Sequence, residues 1–132
     1  MIVVDASAIV DFVTHRALDA LPDRLMGGGG LHAPHLVDVE VAHALRRLVA
    51  TRELSADRAS DARADAADLR IIRYPHVPLL DRAWQLRETL SVYDAVYVAL
   101  AEALEAPLVT CDTRLLRATG HHAEVELFAP SS

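Results

Sequence analysis

Short apolar runs alternate with longer segments of helical periodicity along this chain. The short runs predict strands at residues 2–4, 31–33, 71–72, 108–110 and 125–128. Between them, apolar residues recur three and four positions apart, which is the spacing of a helix with one buried face. Strands that alternate with helices indicate an α/β fold in which helices sandwich a mainly parallel central sheet.

The helical segments have recognisable starts and stops. They are expected at residues 6–21, 36–50, 56–69, 77–90, 91–104 and 113–119. In the first of them the pattern weakens near residues 14–16, and Pro22 is expected to stop or kink the helix. Ser55 and Asp112 are natural N-caps. Residues 27–30 are glycines that form a loop, and no Gly-Lys-Ser/Thr follows to make it a phosphate-binding loop.

The segment 91–104 differs from the other helices because its centre is apolar on every side. Residues 95–101 carry no charge, which is typical of a helix buried on several faces. Asp94 stands near its start, where a buried charge is costly unless it has a partner. Ser91-x-x-Asp94 also resembles a capping box, so a structural role and a functional role both stay open for Asp94.

Composition narrows the class of protein. The 132 residues suit one domain over 1–132, and 52% of them are hydrophobic. All 13 basic residues are arginine and the net charge is −6, so a nucleic-acid function would depend on local arginines or a metal. The single cysteine, Cys111, suits a reducing compartment. No apolar run approaches the roughly 18 residues of a membrane span. We therefore expect a soluble, cytoplasmic protein that does not engage a membrane.

Histidines are numerous but do not form a metal motif. The pairs His32-x-x-His35 and His121-His122 lack the further ligands that a zinc site requires. We therefore expect the histidines at the surface or in loops.

Acidic residues fall where predicted strands end and predicted helices begin. They are Asp5, Glu40, Asp94 and Asp112. Because the carboxyl ends of parallel strands share one edge of a sheet, the four carboxylates can converge there. Converging carboxylates repel one another, and oxygen-only ligands suit a hard cation such as Mg²⁺ or Mn²⁺. Such a site indicates phosphodiester hydrolysis.

A second acid lies close to Glu40. Glu40 has apolar residues one turn before it, whereas Asp38 lies nearer the start of the helix. We therefore predict that Glu40 is drawn into the fold and that Asp38 serves the helix N-terminus. Arg46, Arg47 and Arg52 follow on the polar side, either as a solvated face or as a site for phosphates.

Four stretches of the sequence form a set in a characteristic order. They are Val3-Val4-Asp5-Ala6-Ser7-Ala8, Pro34 through Glu40 to Ala44-Leu45, Tyr93-Asp94-Ala95-Val96-Tyr97-Val98-Ala99-Leu100-Ala101, and Leu108-Val109-Thr110-Cys111-Asp112-Thr113-Arg114-Leu115-Leu116. This set resembles the PIN-domain ribonucleases, and among them the VapC-type toxins of toxin–antitoxin pairs. The Asp94 stretch together with Thr110-x-Asp112 is the most specific part of the resemblance.

The resemblance implies a metal-dependent endoribonuclease that cleaves RNA with a metal-activated water. It implies that Mg²⁺, or Mn²⁺, is held by Asp5, Glu40, Asp94 and Asp112. Ser7 and Thr110 match polar residues that support the acids, and Arg114 or the Arg46-Arg47-Arg52 group are candidates for RNA contact. The resemblance also implies a small antitoxin partner and a homodimer. Trp84 and the apolar side of residues 77–90 are candidates for the interface, and a core position for Trp84 is equally open.

Other readings of the acids are weaker. A receiver-type signalling domain also binds Mg²⁺ with acids at strand ends, but it needs adjacent acids after the first strand and a late lysine, and this chain contains no lysine. A haloacid-dehalogenase-like phosphatase needs Asp-x-Asp, where this chain has Ser7 in the third position. An inactive PIN scaffold would be expected to show a broken acid set, whereas all four acids are present.

Overall fold

A parallel sheet forms the centre of the protein. The computed structural model describes residues 1–16 and 20–128. Its strands are β1 (Ile2–Val4), β2 (Leu31–Pro34), β3 (Ile71–Tyr74), β4 (Leu108–Thr110) and β5 (Val125–Leu127). They are arranged in the order β3-β2-β1-β4-β5, and every neighbouring pair is parallel. The predicted α/β fold with a parallel central sheet is therefore confirmed.

Helices connect the strands and cover the sheet. They are α1 (Ala6–Val13), α2 (Ala20–Met26), α3 (Leu36–Ala50), α4 (Ala56–Asp68), α5 (Leu80–Gln85), α6 (Val92–Leu104) and α7 (Thr113–Arg117). Helices α1, α3 and α4 pack with one another, whereas α5 packs on α6, and α6 contacts β1, β2 and β4. The predicted bounds of α3, α4, α6 and α7 agree with these to within two residues.

Helix α6 is the buried helix that the sequence indicates. All seven residues from Ala95 to Ala101 are buried. Ser91 caps the helix, because its hydroxyl accepts a hydrogen bond from the Asp94 backbone N–H at 3.1 Å. The chain leaves the helix at Glu105, which adopts the left-handed conformation with φ of 52°.

The first helix is shorter than the predicted helix over residues 6–21. Helix α1 ends at Val13, where the Thr14 hydroxyl donates to the Val10 carbonyl at 2.7 Å and His15 turns the chain with φ of 58°. Residues 17–19 of the predicted helix, Leu18 included, lie outside the described residues. Pro22 does not stop a helix but lies in the first turn of α2, where its missing N–H would have no acceptor within the helix.

The predicted helix over residues 77–90 is also too long. A 3₁₀ turn, Val77–Leu79, precedes α5, and the helix ends at Gln85. Residues 86–90 form turns in which the Thr89 hydroxyl donates to the Thr119 carbonyl at 2.9 Å. Leu86 and Leu90 are nevertheless buried, so the apolar pattern identified an inward-facing side without distinguishing turns from helix.

One histidine departs from its expected surface position. His32 lies in β2 with 7% of its surface exposed, and its Nδ1 forms a 2.7 Å hydrogen bond with the Tyr74 hydroxyl. All four residues of β2 are buried because the strand is covered on both faces, so a polar residue such as His32 is buried along with its apolar neighbours. Among the residues described, no helix has the length and apolar character needed to cross a membrane.

Candidate active site

The four acids identified from the sequence line one cavity of about 200 Å³. Asp5 follows β1 and caps α1, and Asp112 follows β4 and caps α7. Strands β1 and β4 are parallel neighbours, so their carboxyl ends lie side by side. Glu40 comes from the second turn of α3 and Asp94 from the first turn of α6. The fold thus brings together carboxylates that are far apart in the sequence.

Asp5 is the most buried of these acids, with 6% of its surface exposed. Its carboxylate accepts hydrogen bonds from the Ser7 hydroxyl at 2.7 Å, the Ala8 N–H at 3.0 Å and the Thr110 hydroxyl at 2.6 Å. Burial nevertheless raises the pKa of Asp5 to about 6, because the three hydrogen bonds only partly offset the loss of solvation. The nearby charge of Asp112 raises the pKa of Asp5 further.

Ser7 and Thr110 join the ends of the two central strands. The Cys111 N–H donates to the Ser7 hydroxyl at 2.9 Å, and the Asp112 N–H donates to the Thr110 hydroxyl at 3.0 Å. The two hydroxyl oxygens lie 3.3 Å apart. Each hydroxyl therefore accepts from the β4 end and donates to Asp5, which fixes the Asp5 carboxylate relative to Asp112.

Glu40 is held from the buried helix. The Tyr97 hydroxyl donates to Glu40 Oε1 at 2.6 Å, and Tyr97 is 1% exposed. Burial raises the pKa of Glu40, and the neighbouring Asp94 adds to this effect. Sequence reasoning missed Tyr97 as part of the site, although its position one turn after Asp94, within the uncharged stretch 95–101, is a signal that could have identified it.

Arg114 supplies positive charge to the lining of the cavity. Its guanidinium donates to Asp112 Oδ2 at 2.6 Å and lies 4.0 Å from Asp94. The bond from Arg114 lowers the pKa of Asp112. Burial raises the pKa of Asp94, although Arg114 opposes the shift. Asp112 is therefore the acid most readily kept as a carboxylate, whereas Asp5, Glu40 and Asp94 carry charge at a cost.

Asp38 takes no part in this cavity. Its carboxylate forms two hydrogen bonds with Arg73 of β3, at 2.6 and 2.8 Å. Asp38 does lie in the first turn of α3, as predicted. Its partner, however, is the Arg73 guanidinium, and nothing in the sequence indicated that Arg73 would lie beside it. Glu40, not Asp38, is the acid that faces the cavity.

The chemistry of the cavity fits a hard divalent cation. Its donors are four carboxylates, and burial makes three of them resist ionisation, which is what an added cation would relieve. Within residues 1–16 and 20–128, no three Asp, Glu, His or Cys side chains are close enough to hold an ion as they stand. Asp112 instead pairs with Arg114.

A larger cavity, of about 560 Å³, adjoins the acidic one. The two share the lining residues Ser7, Ala44, Arg47 and Asp112. Arg47 lies two turns after Glu40 on α3, so the same helix face carries an acid and then a cation. Cys111 also lines the larger cavity, but burial raises the pKa of its thiol, so it remains protonated and is a poor nucleophile.

Comparison with known proteins identifies the family of this chain. Residues 2–121 match the PIN domain family. Ribonuclease VapC1 from Mycobacterium tuberculosis is 46% identical over 127 residues, which cover 95% of this chain and 96% of the relative. Ribonuclease VapC12 from the same organism is 43% identical over 129 residues, which cover 98% and 100%. The family match over residues 2–121 excludes the receiver-type domain and the phosphatase as alternatives.

A solved structure shows the same fold at much lower sequence identity. A toxin–antitoxin complex from Klebsiella pneumoniae contains a chain with a TM-score of 0.61 and 14% identity, and the match covers 86% of this chain and 88% of that one. At that identity the likeness concerns the fold alone. The family match and the two mycobacterial relatives, by contrast, span nearly the whole sequence. This chain is therefore a member of the PIN-domain family and, within it, of the VapC ribonucleases.

Proposed function

We propose that this protein is a metal-dependent endoribonuclease and acts as the toxin of a toxin–antitoxin pair. The observation that carries the proposal is the convergence of Asp5, Glu40, Asp94 and Asp112 on one open cavity. Relatives named as ribonucleases, identical at 43–46% of positions, support the choice of RNA as the substrate. The reaction is hydrolysis of a phosphodiester bond.

The four acids are proposed to hold Mg²⁺, with Mn²⁺ as a substitute. When bound, such an ion stabilises charge on phosphoryl oxygens and lowers the pKa of water. The protein's part is to keep the carboxylates in place: Ser7 and Thr110 orient Asp5 through 2.7 and 2.6 Å hydrogen bonds. We place a backbone phosphate of RNA in this cavity of about 200 Å³, beside the carboxylates.

Arg47 is the better candidate for RNA contact than Arg114. Arg114 is already paired with Asp112, so a phosphate would have to compete with that carboxylate. In the part of the chain that the structure describes, no carboxylate lies within 4 Å of the Arg47 guanidinium. Arg47 lines both cavities, whereas Arg46 lines a separate groove between α3 and α4. We therefore place an RNA phosphate beside Arg47.

The proposed protein partners are a small antitoxin and a second copy of this chain. The fold is shared with a chain of a toxin–antitoxin complex, which supports the first. For the second, Val77, Leu80 and Trp84 form an exposed apolar surface, with 79%, 42% and 61% of their surfaces exposed. Trp84 is thus excluded from the core, and a place in a homodimer interface is the role we propose for it.

The substitution Asp94→Asn tests the proposed function. Asn keeps the shape of the side chain but removes its charge. Burial raises the pKa of Asp94, which means that the folded protein bears a cost for this charge, so the metal-free variant should be as stable as the parent or slightly more stable. RNA cleavage in Mg²⁺ should be lost. Cleavage is followed on purified RNA, and stability by thermal melts in EDTA and in Mg²⁺.

Asp57→Asn is the matched control, since Asp57 is also an acid in the first turn of a helix but belongs to α4 and does not line the acidic cavity. This control should cut RNA at the parent rate. If Asp94→Asn also cuts at the parent rate, or melts far below the parent in EDTA, the assignment of Asp94 as a metal ligand is wrong.

A further inference from the structure

We propose that Tyr97 is a positioning residue of the active site: its hydroxyl holds the Glu40 carboxylate by one oxygen and leaves the other free for a divalent cation. This inference rests on the proposed function, and it adds a residue of helix α6 that does not itself touch the ion or the substrate.

The contact that carries the inference spans two helices. Tyr97 Oη lies 2.6 Å from Glu40 Oε1, a short hydrogen bond to a charged acceptor. Tyr97 and Glu40 both line the acidic cavity, and they are 57 residues apart in the sequence. Tyr97 also lies one turn after Asp94 on α6. The bond therefore ties the helix that carries one acid to the helix that carries another.

The hydroxyl is not needed to fill space. Tyr97 is 1% exposed in a helix whose neighbouring residues are all apolar and buried, a setting that a phenylalanine ring would suit equally well. A buried tyrosine hydroxyl requires a partner, and within the described residues its partner is Glu40. Burial and Glu40 both raise the pKa of Tyr97, so the hydroxyl keeps its proton and acts as a donor.

Glu40 depends on this one bond more than Asp5 or Asp112 depends on any one of its own. Asp5 accepts three hydrogen bonds, and Asp112 accepts from both the backbone and the guanidinium of Arg114. Across residues 1–16 and 20–128, the Glu40 side chain receives one hydrogen bond, from Tyr97. Glutamate also has more rotamer freedom to lose than aspartate. Without the hydroxyl, Glu40 would have to be ordered by the cation itself.

The test is Mn²⁺ binding by Tyr97→Phe, measured by calorimetry on the purified full-length protein. We expect the dissociation constant for Mn²⁺ to rise about tenfold, the loss that one hydrogen bond to a charged group would produce. In the cleavage assay kcat should fall while KM for RNA changes little, because RNA phosphates contact other residues. If the hydroxyl instead competed with the ion for Glu40, Mn²⁺ would bind more tightly to the variant, and that result would overturn the inference.

Tyr74→Phe is the matched control. The Tyr74 hydroxyl forms a 2.7 Å hydrogen bond with His32, so this substitution also removes a tyrosine hydroxyl bond, but away from the acidic cavity. Its Mn²⁺ affinity should equal that of the parent. A purely structural role for Tyr97 predicts that the two variants lose thermal stability alike and that neither loses Mn²⁺ affinity.

A double variant shows whether Tyr97 acts through Glu40. Glu40→Gln alone should weaken Mn²⁺ binding, and adding Tyr97→Phe to it should weaken binding no further, because the two residues act as one unit. The double variant can also replace Tyr97→Phe if that single variant does not fold. In the double variant Glu40→Gln removes the carboxylate charge, so losing the Tyr97 hydroxyl no longer leaves a buried charge without a hydrogen-bond donor. Weaker binding by the double variant than by Glu40→Gln would contradict the inference.

The outcomes separate this inference from the proposed function. If the parent protein binds Mn²⁺ and cuts RNA while Tyr97→Phe binds Mn²⁺ equally well, the role of Tyr97 is wrong and the proposed function stands. If the parent neither binds Mn²⁺ nor cuts RNA, the proposed function fails and this inference fails with it.

Discussion

At the scale of single residues, the site is governed by the conflict between burial and charge at Asp5. Three hydrogen bonds favour the carboxylate, yet burial outweighs them and raises its pKa from 3.8 to about 6. The group therefore holds its proton in the folded protein at pH values where the unfolded chain has lost it. In the absence of metal, keeping Asp5 ionised at neutral pH costs about 3 kcal/mol.

This conflict predicts an unusual pH dependence in EDTA. Well below pH 3.8 Asp5 is protonated in both the folded and the unfolded state. As pH rises from 3.8 to about 6, the folded state binds more protons than the unfolded state, so the contribution of Asp5 to stability declines. Asp5→Asn removes the titration. The difference in unfolding free energy between variant and parent, from urea titrations, should therefore grow in the variant's favour between pH 4 and pH 7. A difference that does not change with pH would contradict the assignment.

Single residues also mark the limit of what the sequence could predict. The four acids could be named in advance because Asp5 and Asp112 follow predicted strands and Glu40 and Asp94 lie near the starts of predicted helices. Ser7 and Thr110 were named because they match polar residues of the PIN-domain family. The bond between Tyr97 and Glu40, and that between Asp38 and Arg73, join positions 57 and 35 residues apart. Such pairs depend on how helices and strands pack, which no local spacing records.

At the scale of elements, α6 positions Asp94, and its N-cap fixes where the helix begins. Ser91 accepts a hydrogen bond from the Asp94 N–H itself, so the cap and the proposed metal ligand share one turn. Ser55 caps α4 in the same way, accepting from the Arg58 N–H at 3.2 Å, but α4 contributes no residue to the acidic cavity.

These two caps allow a matched prediction. Ser91→Ala and Ser55→Ala should each lower the free energy of unfolding by about 1 kcal/mol, because each removes one N-cap hydrogen bond. Ser91→Ala should also reduce RNA cleavage, since it loosens the turn that carries Asp94, whereas Ser55→Ala should not. Urea unfolding and cleavage rates measure the two effects. Equal cleavage by both variants would mean that the start of α6 does not position Asp94.

Sequence periodicity predicted an element well where its apolar pattern was compatible with only one type of structure. Helix α3 was predicted at its observed bounds because its apolar stripe is regular over the whole of Leu36–Ala50. The pattern failed around Pro22, where a helix start and a helix stop look alike, and after Gln85, where turns bury the same side that a helix would. After Gln85 the Thr89 hydroxyl donates to the Thr119 carbonyl, so one contact that holds these turns comes from a distant part of the chain.

At the scale of the whole molecule, the strand order determines where the site lies. Strand β1 lies at the centre of the sheet, with β2 on one side and β4 on the other, so Asp5 is the carboxylate around which the others gather. The alternation of strands and helices predicted a parallel sheet. The order β3-β2-β1-β4-β5 did not follow from the sequence, because the strand spacings do not say which strands become neighbours.

The exposed apolar surface of Val77, Leu80 and Trp84 predicts a dimer. The parent should scatter light as a particle of twice 14.4 kDa at micromolar concentration. Trp84→Gln should shift the protein towards the monomer, because it removes a large aromatic side chain that is 61% exposed in the protomer. Met26→Gln, at an equally exposed apolar position on α2, should leave the mass unchanged. A monomeric parent protein would contradict the proposed interface.

The central claim is that the four converging carboxylates act on RNA through a divalent cation. The most direct measurement is cleavage of purified RNA by the parent protein in Mg²⁺, in excess EDTA, and after Mg²⁺ is added back, with Asp94→Asn as the control for contaminating nuclease. We predict cleavage in Mg²⁺, none in EDTA, recovery on adding Mg²⁺ back, and none by the variant in any condition. Undiminished cleavage in EDTA, by the parent and not by the variant, would contradict the metal mechanism.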